Sequence, residues 1–179
     1  QVDVMGYACL VAIMSMGRGY HCVSEVNLHQ ETVANDFPTP IVTSAGALIN
    51  GLKVLGAKQI SIITPYMRPL TDMVVDYIEN QGIKVKESIA LEIPDNLEVA
   101  AQNPMNLLEI YKQLDLTDVD VLVVSACVQM PSLEAIDLIQ AECGIPVTSA
   151  AVCTTYEMMK KLGIEARSTI GGELLNGKY

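Results

Sequence analysis

The sequence predicts an α/β protein built on parallel sheets: two pseudo-symmetric lobes, each a sheet flanked by helices, with the active site in the cleft between them. Three observations predict it. Short apolar runs rich in β-branched residues alternate with helical patterns along the chain. One order of elements occurs twice. Half of the 179 residues are hydrophobic, with no Trp and a single Phe, so Val, Ile, Leu, Ala and Met must supply the core. That length suffices for one large domain or two small lobes.

The elements follow in order. Val2 to Cys9 reads as a buried strand, apolar and uncharged after Asp3. Leu10 to Met16 begins a helix that Gly17-Arg18-Gly19 breaks. Residues 20 to 36 are polar and mixed, which predicts a loop or an irregular helix. Pro38 to Thr43 is a short strand, and Ala45 to Leu55 a helix closed by Gly56. Gln59 to Thr64 is a strand ended by Pro65, and Leu70 to Asn80 a helix with Pro69 at its start and Gly82 past its end. Ile83 to Ile89 alternates as a strand. Asp95 and Glu98 stand at capping-box spacing, and Pro104 to Leu114 is a further helix. Val119 to Ser125 is the clearest buried strand. Leu133 to Glu142 follows as a helix, Ile145 to Thr148 as a short strand, and Thr155 to Leu162 as a helix closed by Gly163.

The repeat links the two halves. Val2-Asp3-Val4 leads to Ala8-Cys9-Leu10, and Val119-Asp120-Val121 leads to Ala126-Cys127-Val128. Pro40 then leads to Thr43-Ser44-Ala45 and Leu55-Gly56, as Pro146 leads to Thr148-Ser149-Ala150 and Leu162-Gly163. The second copy is preceded by strand, helix, strand and helix between Gln59 and Asp118, and the first copy has no such counterpart. The expectation is a first lobe lacking its N-terminal elements. Residues 1–58 are its remaining part, with 164–179 packing back on it, and 59–163 form the second lobe.

Composition excludes several classes. The net charge is -10 and the 11 basic residues are scattered, so no stripe tracks a phosphate backbone and no nucleic-acid partner is expected. The longest uncharged stretch, Phe37 to Leu52, holds two Pro and two Gly, so no membrane span is expected. Five cysteines with no pair within three residues, and only two His, fit neither a disulfide framework nor a metal site. Reduced thiols in a cytoplasmic protein are the expected state.

The repeat separates those cysteines. Cys9 and Cys127 each stand at the C-terminal end of a strand, the edge where open α/β sheets bind ligands. Two facing lobes bring both thiols to one ligand. A following helix offers N–H groups that lower a thiol pKa and hold a carboxylate, which makes the amides of Leu10, Val11, Val128 and Gln129 candidates. One thiolate and one thiol supply a nucleophile and an acid beside a carboxylate. Cys22, Cys143 and Cys153 have no such symmetry and are expected to fill space. Tyr66 follows the strand ending at Thr64, on the same edge, where its hydroxyl can hydrogen-bond a carboxylate. Asn96 reads equally as a helix cap. His21 and His29 are expected at the surface.

Four segments carry a resemblance: Tyr7-Ala8-Cys9-Leu10-Val11-Ala12, the run from Thr39 to Leu48, Thr64-Pro65-Tyr66-Met67-Arg68-Pro69 and Ser125-Ala126-Cys127-Val128-Gln129-Met130-Pro131. Together they resemble the maleate cis–trans isomerases of the aspartate/glutamate racemase superfamily, relatives of arylmalonate decarboxylase. The resemblance continues to Gly171-Gly172-Glu173-Leu174-Leu175. It implies cofactor-free catalysis on a small dicarboxylate, maleate, with Cys9 as nucleophile, Cys127 as second catalytic cysteine, and Tyr66 and Asn96 as substrate-binding residues. The assembly expected with it is a homodimer. An amino-acid racemase of the same superfamily is the nearest rival, although the neighbours Leu10, Val11 and Val128 disfavour an ammonium-bearing substrate. A decarboxylase of the arylmalonate type needs only one of the two cysteines. A non-catalytic dicarboxylate-binding protein is the alternative from another class.

Overall fold

The computed structural model describes residues 2–179. The strands are β1 (Met5–Tyr7), β2 (Ile41–Thr43), β3 (Gln59–Thr64), β4 (Lys84–Ala90), β5 (Val121–Ser125) and β6 (Val147–Ser149). The helices are α1 (Leu10–Met14), α2 (Tyr20–Ala34), α3 (Ser44–Val54), α4 (Arg68–Asn80), α5 (Asn96–Ala100), α6 (Leu107–Ile110), α7 (Leu133–Cys143) and α8 (Ala150–Lys161). β1 and β2 form a two-stranded sheet, and the others form a four-stranded sheet in the order β4-β3-β5-β6. Every pairing is parallel. The fold is therefore the predicted α/β type, with parallel sheets flanked by helices. No helix among the described residues is long and apolar enough to cross a membrane.

The core follows from strand composition. Ile60, Ile62 and Ile63 of β3 and Val121 to Val124 of β5 are fully buried, since both faces of this sheet carry helices. At the N-terminal edge the Asp120 carboxylate accepts the amides of Lys58 and Gln59, both at 2.8 Å, and so ties β3 to β5. These two N–H donors hold that carboxyl below the usual range, Gln59 contributing most.

The repeat is visible in three dimensions. Each copy runs strand, cysteine, helix, parallel strand, helix: β1, Cys9, α1, β2, α3 in the first, with α2 inserted, and β5, Cys127, α7, β6, α8 in the second. The closing helices are capped alike. Thr43 Oγ1 accepts Gly46 N–H at 3.1 Å, and Ser149 Oγ accepts Val152 N–H at 3.3 Å. Those two helices pack on each other, so close at Gly51 that a Cβ there would lie 2.6 Å from Cys153 Sγ. Cys153 is thus a packing residue, as expected. Gly51→Val is expected to cost about 1–3 kcal/mol by overpacking. Urea unfolding measures it, and adding Cys153→Ala is expected to restore part of the loss.

Several expectations need correction. Residues 20 to 36, read as loop or irregular helix, form the regular helix α2. Its inward face is polar, with His21 and Ser24 buried, while Val23, Val26 and Val33 are exposed. The apolar period that marks a helix is therefore inverted. Val2 to Cys9, read as a buried strand, gives only the exposed β1. β1 pairs along one edge alone, and at Gly6 it meets Met158, whose sulfur lies 2.9 Å from where a Gly6 Cβ would stand. Pro104 to Leu114 divides into α6 between two 3₁₀ turns, Pro104–Asn106 and Tyr111–Gln113. α8 begins at Ala150 rather than Thr155, because Ser149 supplies the cap. The segment 164–179 was expected on residues 1–58. It packs instead on α8 and β6 and on α7, where Asp137 accepts the amides of Gly171 and Gly172 and Gln140 that of Glu173. Leu174 reaches α3, beside Gly51.

Candidate active site

The C-terminal ends of β1, β3 and β5 place the candidate residues. β1 ends at Tyr7, and Cys9 is the N-cap of α1. Its backbone is extended, with φ -120° and ψ 92°, and its side chain caps nothing, so the exposed thiol is left to a ligand. Leu10 buries its side chain in the core and Val11 is half-buried. Their amides stand in the first turn of α1, where no intrahelical acceptor exists.

β5 ends at Ser125, two residues before Cys127. The Ser125 hydroxyl accepts the Cys127 N–H at 3.3 Å and donates to the Cys127 carbonyl at 2.8 Å. The chain then turns, with Met130 N–H on the Cys127 carbonyl at 3.3 Å. Helix α7 begins at Leu133, as read, because this turn and Pro131 occupy the space after Cys127. No helix N-terminus therefore bears on Cys127, and the Val128 and Gln129 amides belong to a turn. Cys127 itself is half-buried.

Tyr66 lies beside the Cys127 turn. It lies two residues past β3, where its carbonyl accepts Glu92 N–H at 3.2 Å and the Thr71 hydroxyl at 3.4 Å. Thr71 is held to Thr64 by a hydroxyl pair at 2.6 Å. The half-buried phenol donates to the Ala126 carbonyl at 3.4 Å. Burial raises its pKa most, followed by the charge and hydrogen bond of Cys127 and then the charge of Cys9. One hydroxyl thus feels a cysteine from each sheet, and it stays protonated as a donor.

Asn96 is exposed as the first residue of α5, and Asp95 is the cap, accepting Leu97 N–H at 2.6 Å. The cap reading of Asn96 therefore falls. A link to the site comes from Gln129, whose side-chain amide donates to the Asn96 carbonyl at 2.8 Å and so ties the Cys127 turn to α5. The Gln129 side chain and the Ser125 hydroxyl are site contributors that the sequence does not announce. Their side-chain partners are distant in sequence or set by a local turn, and neither leaves a spacing signal.

The remaining nucleophiles and bases lie elsewhere. Burial pushes the Cys153 thiol up to about 12, which leaves it inert. Cys143 is half-buried, and Cys22, expected to fill space, is exposed on α2. His29 is at the surface with a ring nitrogen on the Thr39 carbonyl at 2.8 Å, whereas His21, expected there too, is buried. Among the described residues no group of three or more His, Cys, Asp or Glu is placed to hold a metal ion. Arg68, beside the Tyr66 loop, points its guanidinium at Ser88 and Asp72. The polar donors beside the thiols are accordingly the Tyr66 hydroxyl and backbone N–H groups. A cavity of about 470 Å³ lies behind the Cys127 turn, bounded by Val128, Ser132, Ser149, Thr155 and Ile170.

Comparison with known proteins bears on this geometry. The sequence pattern of the arylmalonate decarboxylase family matches residues 5–175. Maleate isomerase of Geobacillus stearothermophilus is 54% identical over 177 residues, which are 99% of this chain and 70% of that one. The crystal structure of a maleate isomerase from Pseudomonas putida, a Cys-to-Ala variant with maleate, superposes with a TM-score of 0.98 at 57% identity, covering 99% of this chain and 71% of that one. A Cys-to-Ser variant of the maleate cis–trans isomerase from Nocardia farcinica, with a covalently bound succinylcysteine intermediate, gives 0.94 at 37% identity, covering 99% and 72%.

Proposed function

Because the chain belongs to the arylmalonate decarboxylase family and stands with the maleate isomerases in it, we propose that it isomerises maleate to fumarate through a thioether on Cys9. The observation that carries this is the placing of Cys9, Tyr66 and Cys127 just past the C-terminal ends of the parallel strands β1, β3 and β5, with the Tyr66 hydroxyl on the carbonyl next to Cys127 at 3.4 Å. The maleate and the succinylcysteine named for its relatives support the same substrate and the same kind of intermediate.

The chemistry follows from the substrate. The double bond of maleate cannot rotate. The Cys9 thiolate adds to C2, forming the S–C2 bond, and the π electrons pass to C3 and its carboxylate. The Cys127 thiol gives its proton to C3 and becomes the thiolate. C2–C3 is now single and turns. Cys127 takes a proton back from C3, the double bond re-forms, and Cys9 leaves as thiolate with fumarate. Both thiols end as they began, so the cycle needs no cofactor.

The negative charge that builds on the carboxylate beside C3 needs donors placed in advance. Tyr66 and the amides of Leu10, Val11 and Val128 have that role in this proposal, with Asn96 holding the second carboxylate. Flanking the thiols with apolar side chains suits a substrate without an ammonium group, which disfavours the racemase reading. The proposal also includes a first lobe of 1–58, a second of 59–163, a homodimer and action in the cytoplasm.

Incubation with maleate, followed by proton NMR, tests the function. The expected result is loss of the maleate vinyl signal and growth of fumarate, undiminished after dialysis against a chelator. Binding of maleate without fumarate would instead support a non-catalytic dicarboxylate-binding protein. Tyr66→Phe is expected to lower kcat/KM by about 10–100-fold, the worth of one hydrogen bond to a charged group. Since the Tyr66 pKa is raised, its ionisation lies above the alkaline limb of activity. The variant is therefore expected to leave that limb in place, which a pH–rate profile checks.

A further inference from the structure

The two halves of the site come from different sheets, and something must set the distance between them. The helix that follows Cys9 packs against α2, α3 and α4. The last of these also governs the Tyr66 loop, because Thr71 near its start bonds both Thr64 and the Tyr66 carbonyl. Farther along, two consecutive residues of α4 reach across to the chain after α1. Asp76 receives the Arg18 guanidinium in a two-pronged ion pair. Tyr77, 1% exposed, accepts the His21 N–H at 3.1 Å, and its hydroxyl meets His21 Nδ1 at 2.5 Å. In the neutral ring with its proton on Nε2, Nδ1 accepts the Tyr77 proton, and the Tyr77 oxygen keeps a lone pair for the His21 N–H. Burial lowers the His21 pKa, with Lys53 acting in the same direction and Glu25 against it, so the ring is neutral near pH 7.

We propose that Tyr77, with His21, is a positioning residue for the reaction: it pins the chain after α1 to the helix that holds Tyr66, and so fixes Cys9 against Tyr66 and Cys127. The pair makes two hydrogen bonds in a buried site, where geometry is held more firmly than by the exposed Arg18–Asp76 pair. The proposal rests on the isomerase reading for its effect on turnover, while its structural part is tested separately.

The test compares Tyr77→Phe, His21→Ala and His21→Asn with Ile139→Val, a buried change on α7 that lowers stability without touching the pair. In Tyr77→Phe and His21→Ala, kcat for maleate is expected to fall about tenfold, the cost of a reacting group displaced by a fraction of an ångström, with KM within about twofold. Amides of α1 are expected to exchange with deuterium about tenfold faster, while those of β3 and β5 keep their protection. His21→Asn, whose carbonyl restores an acceptor for the Tyr77 hydroxyl, is expected to recover most of both. Unchanged α1 exchange in Tyr77→Phe and His21→Ala would overturn the proposal. An equal kcat loss in Ile139→Val would overturn it too, since stability alone would then explain the effect. A wild-type chain without turnover would count against the isomerase reading alone, because the exchange measurement needs no substrate. If Tyr77→Phe does not fold, the His21 pair decides.

Discussion

Replacement of Cys9 by alanine is expected to reduce maleate turnover by about 10³–10⁶-fold, the range seen when a covalent nucleophile is removed. No other described group stands ready to replace it. In the proposed cycle Cys127 handles the proton at C3, and Cys153 is inert in the core. Binding should survive, since the donors assigned to the carboxylates are Tyr66, Asn96 and backbone amides that the change leaves in place. Kinetics by NMR and maleate affinity by calorimetry separate the two effects. A Cys9→Ala chain with full turnover would remove this residue from the mechanism.

Cys127→Ser is expected to lower turnover by about 10²–10⁴-fold, the usual worth of a positioned acid–base group. The hydroxyl is of similar size and keeps the turn in which Ser125 bonds the Cys127 amide and carbonyl. It is a far weaker acid than a thiol, and its conjugate base is inaccessible near neutral pH. Addition of Cys9 can still occur with a slow proton from water, but removal of the C3 proton that expels Cys9 has lost its base. The thioether should therefore accumulate. The two cysteine variants thus fail differently, one before the covalent step and one after it.

The alternation of elements was legible because most of the core is made by strands buried on both faces. β3 runs Gln59–Thr64 as read, since Ile60, Ile62 and Ile63 form one apolar run ended by Pro65. The repeat located both cysteines at strand ends because a duplicated fold keeps its ligand edge. What escaped reading depends on tertiary partners. α2 hides a polar inner face whose Glu25 accepts the amide and hydroxyl of Thr43, so its apolar pattern misleads. β1 is too short and open to behave as the buried strand its residues suggest. The turn after Cys127 arises from a Ser125 hydroxyl bond, which ordinary helix signals do not register. Gln129 and Tyr77 act on residues 33 and 56 positions away, and no local pattern announces such contacts.

The proposed cycle turns on a covalent bond between Cys9 and substrate carbon. Its most direct measurement is the mass of the Cys127→Ser protein after incubation with maleate, followed by peptide mapping. The expected result is a gain equal to one maleic acid, carried on the peptide that contains Cys9. A protein of unchanged mass under conditions where the unsubstituted chain makes fumarate, or an adduct on another cysteine with Cys9 free, would contradict it.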